Sequence, residues 1–206
     1  MKNSFTLILC FAINLLHAQS VQGIYTFHRQ EMVASFRFNA DNTFDFFYSY
    51  GAADRTAAGT FTTIGDTVKL KSKKVAGNDF EILSQSKKGK AIKIKVTDKN
   101  PYLVSNVSAI VLNGGDRHYF ESDKEGMITI DLKSCDTIYI KHELFPDIPT
   151  LIKDANNSNN YFELALKPSL GEVSFKGIDL FLNDSALTCY PNYFIPFENI
   201  RFEKEQ

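Results

Sequence analysis

The chain has no excess of either charge. Its 23 Lys+Arg face 24 Asp+Glu among 206 residues, a formal net charge of -1. A dedicated binder of nucleic acid or of an anionic membrane needs a clear basic excess, so those partner classes are set aside. No two cysteines stand as Cys-x-x-Cys, and there is no Gly-x-Ser-x-Gly nucleophile turn. No Gly-rich loop followed by Lys-Ser/Thr is present to cradle a phosphate. Past residue 18 no apolar run approaches the about 20 residues of a membrane span, and no amphipathic helix of three turns stands out. Tryptophan is absent, yet there are 18 Phe and 9 Tyr, a balance that leans towards strands. Hydrophobic residues at 44% and charged residues at 23% make an ordinary globular mixture and exclude a disordered chain.

Residues 1–18 read as a secretory leader. Lys2 supplies the positive start and Phe5 to Leu16 the apolar stretch. Leu16-His17-Ala18 ends on the small residue that signal peptidase requires. The expectation is an exported protein, periplasmic or extracellular. A rival reading lipidates Cys10 within Leu7-Ile8-Leu9-Cys10, but such a cysteine follows a small residue and Leu9 is large. Cleavage after Ala18 leaves Cys135 and Cys189. An oxidising compartment allows them to pair, closing a loop worth about 4 kcal/mol in the chain-entropy model. Two unrelated buried thiols are the alternative.

The rest of the chain alternates with period two. Phe44, Phe46, Tyr48 and Tyr50 share one face of a strand, opposite Thr43, Asp45 and Ser49. Ile92, Ile94 and Val96 alternate with lysines and Thr97; Ile128, Ile130 and Leu132 alternate with Thr129, Asp131 and Lys133. Ile138-Ile140 and Phe162-Leu164-Leu166 repeat the pattern. A pleated strand sends successive side chains to opposite faces, so each run buries one face and wets the other. Turn residues separate the runs, among them Asp41-Asn42, Gly65-Asp66 and Asn113-Gly114-Gly115-Asp116. The predicted fold is all-β, built of many short antiparallel strands.

Three regions follow the leader. Residues 19–90 form a meander that ends in the solvated connector Lys87-Lys88-Gly89-Lys90. Residues 91–168 form a second unit, and residues 169–206 carry further strand-like runs. If that tail joins the first sheet, the second unit is an insertion.

Val96-Thr97-Asp98, Ile110-Val111-Leu112, the turn Ser122-Asp123-Lys124-Glu125-Gly126 before Met127-Ile128-Thr129-Ile130, and Ile138-Tyr139-Ile140 carry a resemblance. The second unit resembles a carboxypeptidase regulatory-like domain, a small transthyretin-like β-sandwich. His142-Glu143-Leu144-Phe145 stands where that family usually has Gly-Tyr. The resemblance implies a non-catalytic accessory module. The run Gly23-x-Tyr25, Phe36-x-Phe38-x-x-Asp41-x-Thr43-Phe44 and Gly59-Thr60-Phe61 is similar to the N-terminal regions of small secreted proteins of the Bacteroidetes type. It implies a lipocalin-like meander or partial barrel.

The sequence offers four candidate sites. His28 and Glu31, three apart, with a distant His118 or His142, could supply the three protein ligands of a catalytic zinc; a polar hairpin tip is the plainer reading of that stretch. Asp41 and Asp123 suggest calcium only faintly, and a turn-stabilising role fits both better. Tyr48, Tyr50, Asp54 and Arg55 are the candidate binding rim, against an exposed Asp54–Arg55 pair worth under about 1 kcal/mol. Phe36, Phe38, Phe44 and Phe46 line a ligand cavity or fill a solid core. The expected function is an exported, non-catalytic accessory or interaction module of the cell envelope, with a protein or glycan partner and no cofactor. A small apolar-ligand carrier using the meander's interior, and more remotely a zinc hydrolase, are the alternatives.

Overall fold

The computed structural model describes residues 20–51 and 53–206, so the leader expected over residues 1–18 lies outside the described residues. The chain is all-β, as the alternation predicts. Its strands are β1 (Gly23–Arg29), β2 (Met32–Phe38), β3 (Thr43–Tyr50), β4 (Ala53–Ile64), β5 (Thr67–Ser72), β6 (Phe80–Ser86), β7 (Ile92–Thr97), β8 (Val107–Asn113) and β9 (Asp116–Glu121). They continue with β10 (Met127–Ile130), β11 (Thr137–His142), β12 (Thr150–Lys153), β13 (Tyr161–Leu166), β14 (Asp179–Asn183), β15 (Ala186–Cys189) and β16 (Ile200–Lys204). A four-residue helix, α1 (Pro101–Val104), joins β7 to β8.

Strands β1 to β5 form a meander, and β14 to β16 complete it as a closed antiparallel barrel in the order β1-β16-β15-β14-β5-β4-β3-β2. Between β5 and β14 the chain leaves to build two four-stranded sheets, β10-β7-β13-β6 and β12-β11-β8-β9. The sandwich is thus inserted into the barrel. The boundary at residue 90 needs correction: β6 pairs with β13 and belongs to the sandwich. Its solvent-facing composition, with only Phe80 buried, hides that allegiance from the sequence.

Two separate cores result. Along β3, Phe44, Phe46 and Tyr48 turn into the barrel while Asp45 and Phe47 face out. Facing residues of β2, namely Ala34, Phe36 and Phe38, meet them inside. The sandwich core is aliphatic, with Ile94, Val111, Ile128 and Ile138 fully buried. Asp41 and Asp123 serve turns: Asp41 Oδ1 accepts from the Thr43 amide and hydroxyl, and Asp123 Oδ1 accepts from the Glu125 and Met127 amides.

Both ends of the insert lie against β4. Lys73 N–H donates to Ala58 O at 2.8 Å, and the returning Val173 N–H donates to Thr56 O at 2.8 Å. The return segment then drives Phe175 into the barrel, where its ring meets Phe36, Phe44, Phe46 and Phe194 at centroid distances of 5.0–5.6 Å. β4 and β5 approach so closely at Gly59 that a Cβ there would sit 2.1 Å from Lys71 O and 2.8 Å from the Phe44 ring. Backbone cannot yield as a flexible side chain does. Gly59→Ala is therefore expected to destabilise the barrel by about 1–3 kcal/mol, or more. Chemical denaturation checks it; an unchanged midpoint would refute the close approach.

Candidate functional site: a cleft at the barrel mouth

The β1–β2 and β3–β4 turns share one end of the barrel, because Met32 opposes Tyr50 and Tyr50 opposes Ala53. Over this mouth lie the β11–β12 loop of the sandwich, the helix α1, and the segment between β15 and β16. Together they enclose a cleft of about 680 Å³. That size suits a small molecule.

The barrel contributes Met32, Tyr48, Tyr50, Ala53 and Arg55. The sandwich contributes Tyr102 and Leu103 from α1, with Asn100 at its cap, and the loop Glu143-Leu144-Phe145-Pro146. Tyr193, Phe194, Pro196 and Phe197 close the remaining side. Tyr48 holds that last segment in place: its hydroxyl donates to Phe194 O at 3.0 Å, and the two rings meet edge to face. The Arg29 guanidinium stacks 4.0 Å over the Phe197 ring. Tyr193 donates to Ser174 O and accepts from Ser174 N–H, and burial pushes its phenol up.

Three of the four predicted rim residues, Tyr48, Tyr50 and Arg55, come together here. Asp54 does not, since neighbours along β4 point to opposite faces and it faces solvent. The exposed Asp54–Arg55 pair is corrected by the same geometry. Arg55 is only 1% exposed. It donates to Pro146 O at 2.7 Å and to Glu172 O at 2.8 Å, bridging barrel, sandwich loop and return segment.

Beside Arg55 lies a second buried cation. Lys74 Nζ stands 2.8 Å from Asp79 Oδ1 and 2.7 Å from Asp147 Oδ2, and donates to Glu172 O at 2.8 Å. These side chains are almost entirely buried. Burial pushes the Asp79 carboxyl above its usual range, with Lys74 pulling the other way. The sequence did not single out Lys74, Asp79 or Asp147, which read there as ordinary surface charges. Nor did it single out the aromatic run Tyr193-Phe194-Ile195-Pro196-Phe197, although four apolar side chains around a proline in a polar tail were a usable signal.

The zinc set does not form. His28 and Glu31 are exposed at the β1–β2 hairpin. His142 is buried in the sandwich, its Nε2 donating to Leu103 O at 3.0 Å and its Nδ1 accepting from Leu144 N–H at 3.2 Å. Both nitrogens are thus committed to backbone. His118 lies on β9. Among the described residues no group of three or more His, Cys, Asp or Glu could hold a metal ion.

The suggested disulfide is likewise corrected. Cys135 and Cys189 are free thiols, one in the sandwich core and one against the barrel core. Two separate interiors hold them apart, and burial pushes the Cys189 thiol up to about 12. The meander's interior is occupied by rings: Phe36 lies 4.6 Å from Phe46 and 5.5 Å from Phe38, centroid to centroid. Such contacts are those of a packed core. Comparison of the chain with protein-family models, with curated proteins and with solved structures found no match.

Proposed function

We propose that the chain is an exported, non-catalytic binding module whose ligand site is the cleft between the barrel mouth and the sandwich. The observation that carries this reading is the composition of the cleft: apolar and aromatic walls drawn from both units around one buried guanidinium. Ligand sites are mostly apolar concavities with a few fixed polar groups, and junctions between units are a preferred place for them. The carrier alternative thereby moves from the inside of the meander to its mouth. An accessory role in the cell envelope, with a protein or glycan as the wider partner, is compatible with the same surface. Tyr50 is 46% exposed and Tyr102 is 66% exposed, a large aromatic display at one surface.

The test uses an environment-sensitive apolar dye as a probe. The wild-type chain is expected to bind it at one site, and the double variant Tyr50→Ala/Tyr102→Ala about thirtyfold more weakly, since each ring contributes on the order of 1 kcal/mol. Circular dichroism confirms that both are folded, as neither ring belongs to a core. Equal binding by the two proteins would refute the assignment of the cleft.

A further inference from the structure

Arg55 is a strange choice for the floor of an apolar cleft. A guanidinium carries five N–H donors. The structure gives two of its nitrogens an acceptor, Pro146 O and Glu172 O. Its Nε is buried and has no hydrogen-bond partner. Among the described residues Arg55 also forms no ion pair. The nearby carboxylates of Asp79 and Asp147 are both held by Lys74. They act on Arg55 only through their field and leave its Nε–H without an acceptor. A buried donor without an acceptor is costly, and more so when charged. Native structures keep such groups rarely, and each one calls for an explanation such as a functional role or a bound water or ion.

We infer that the cleft takes a small monocarboxylate with an apolar or aromatic body, the carboxylate bonding to the Arg55 guanidinium and the body lying between the rings of Tyr50, Tyr102 and Phe145. This inference rests on the cleft being the ligand site, and it adds the class of ligand. Three features select the class. The Nε–H and a spare terminal N–H of a guanidinium form a fork that matches the two oxygens of one carboxylate. Among the described residues Arg55 is the sole cation lining the cleft, and Glu143 stands among the other lining groups, so a dianion would be under-neutralised. The remaining walls are apolar, which favours a body without further charge.

The experiment needs no variant. Isothermal titration of the wild-type protein at pH 7 compares 3-phenylpropionate with 3-phenylpropanamide, and decanoate with decanamide. Each pair shares its apolar body and differs at one end, where a two-oxygen carboxylate is replaced by a neutral amide with one acceptor oxygen and its own N–H donors. The acid of at least one pair is expected to bind about tenfold or more tightly than its amide, the difference between a charged and a neutral hydrogen bond in a dry site. Equal affinities of acid and amide would overturn the inference and leave the cleft standing as a ligand site. No binding of any of the four would overturn both. Tyr102→Ala, on an exposed ring of α1, locates the effect and is expected to weaken acid and amide together. Arg55→Met is expected to abolish the preference for the acid while amide binding persists; a preference that survives in a folded Arg55→Met protein would equally overturn the inference.

Discussion

Replacing Lys74 by methionine is expected to lower stability by about 3–5 kcal/mol at neutral pH, the cost of breaking a buried ion pair by removing one partner. The ammonium donates to the Glu172 carbonyl and stands in ion-pair contact with both Asp79 and Asp147. Methionine fills much of the same space but leaves two carboxylates buried beside each other without the cation that contacts them, Arg55 acting only from farther off. The loss has a defined pH dependence. An aspartate whose folded pKa is raised above its unfolded value, about 3.9, gives stability that is full below the unfolded value. That stability disappears as pH rises through the folded one. Asp79 is already raised by burial, and removal of Lys74 raises it further. The deficit of Lys74→Met is therefore expected to be greatest at pH 7 and to shrink towards pH 4. Urea unfolding of both proteins at the two pH values measures it. A deficit under about 1 kcal/mol at pH 7 would show that the network contributes no more than an exposed pair. Adding Asp79→Asn and Asp147→Asn to Lys74→Met should recover part of the loss, because the stranded charges are then gone.

The second large effect concerns His142. His142→Ala is expected to cost about 2–4 kcal/mol, combining a vacated ring volume with two orphaned backbone groups. Those groups are Leu103 O and Leu144 N–H, both from cleft-lining residues, and the imidazole also lies 5.3 Å from the Phe145 ring. The ring therefore shapes the sandwich side of the cleft. Burial holds its pKa down, reinforced by Arg55, while the Leu103 carbonyl, Glu143 and Asp98 pull upwards. For a histidine with a depressed folded pKa, stability is present above the unfolded value of about 6.5. It is lost as pH falls through that value towards the folded one. Wild-type stability is thus expected to decline between pH 7.5 and 5.5, by no more than about 1.4 kcal/mol per pH unit for one proton. His142→Gln should lack that component. Parallel slopes for the two proteins in this window would exclude His142 as its source.

Much of the fold is legible in the chain because a half-buried strand prints its environment at every second residue. Phe44-Asp45-Phe46-Phe47-Tyr48 announces both the strand and the side that faces in. β6 shows where the rule stops. Its outer position in its sheet leaves nearly every residue exposed, so its pattern carries no partner information. The site divides in the same way. Tyr48, Tyr50 and Arg55 are close in sequence, and their shared location is readable from the hairpin they occupy. That Arg55 is buried is not readable, because the groups that cover it, Pro146 and Glu172, are 91 and 117 residues away. Charge complementarity at such separations leaves no periodic trace. Lys74, Asp79 and Asp147 look in the sequence like any solvated charge, and only the docking of one unit on the other dries them.

The seam of the barrel carries a consequence for the order in which the molecule assembles. β1 meets β16 through Tyr25–Lys204 and Thr26–Glu203, so the first stave waits for a strand that is synthesised after the whole insert. By then every strand of the sandwich has already emerged. Domains form as their own segments become available, and distant pairings close slowly. The nested unit is therefore mature while its host is still an unfinished ribbon, and the mouth cleft comes into being only when the C-terminal strands arrive to shut the cylinder.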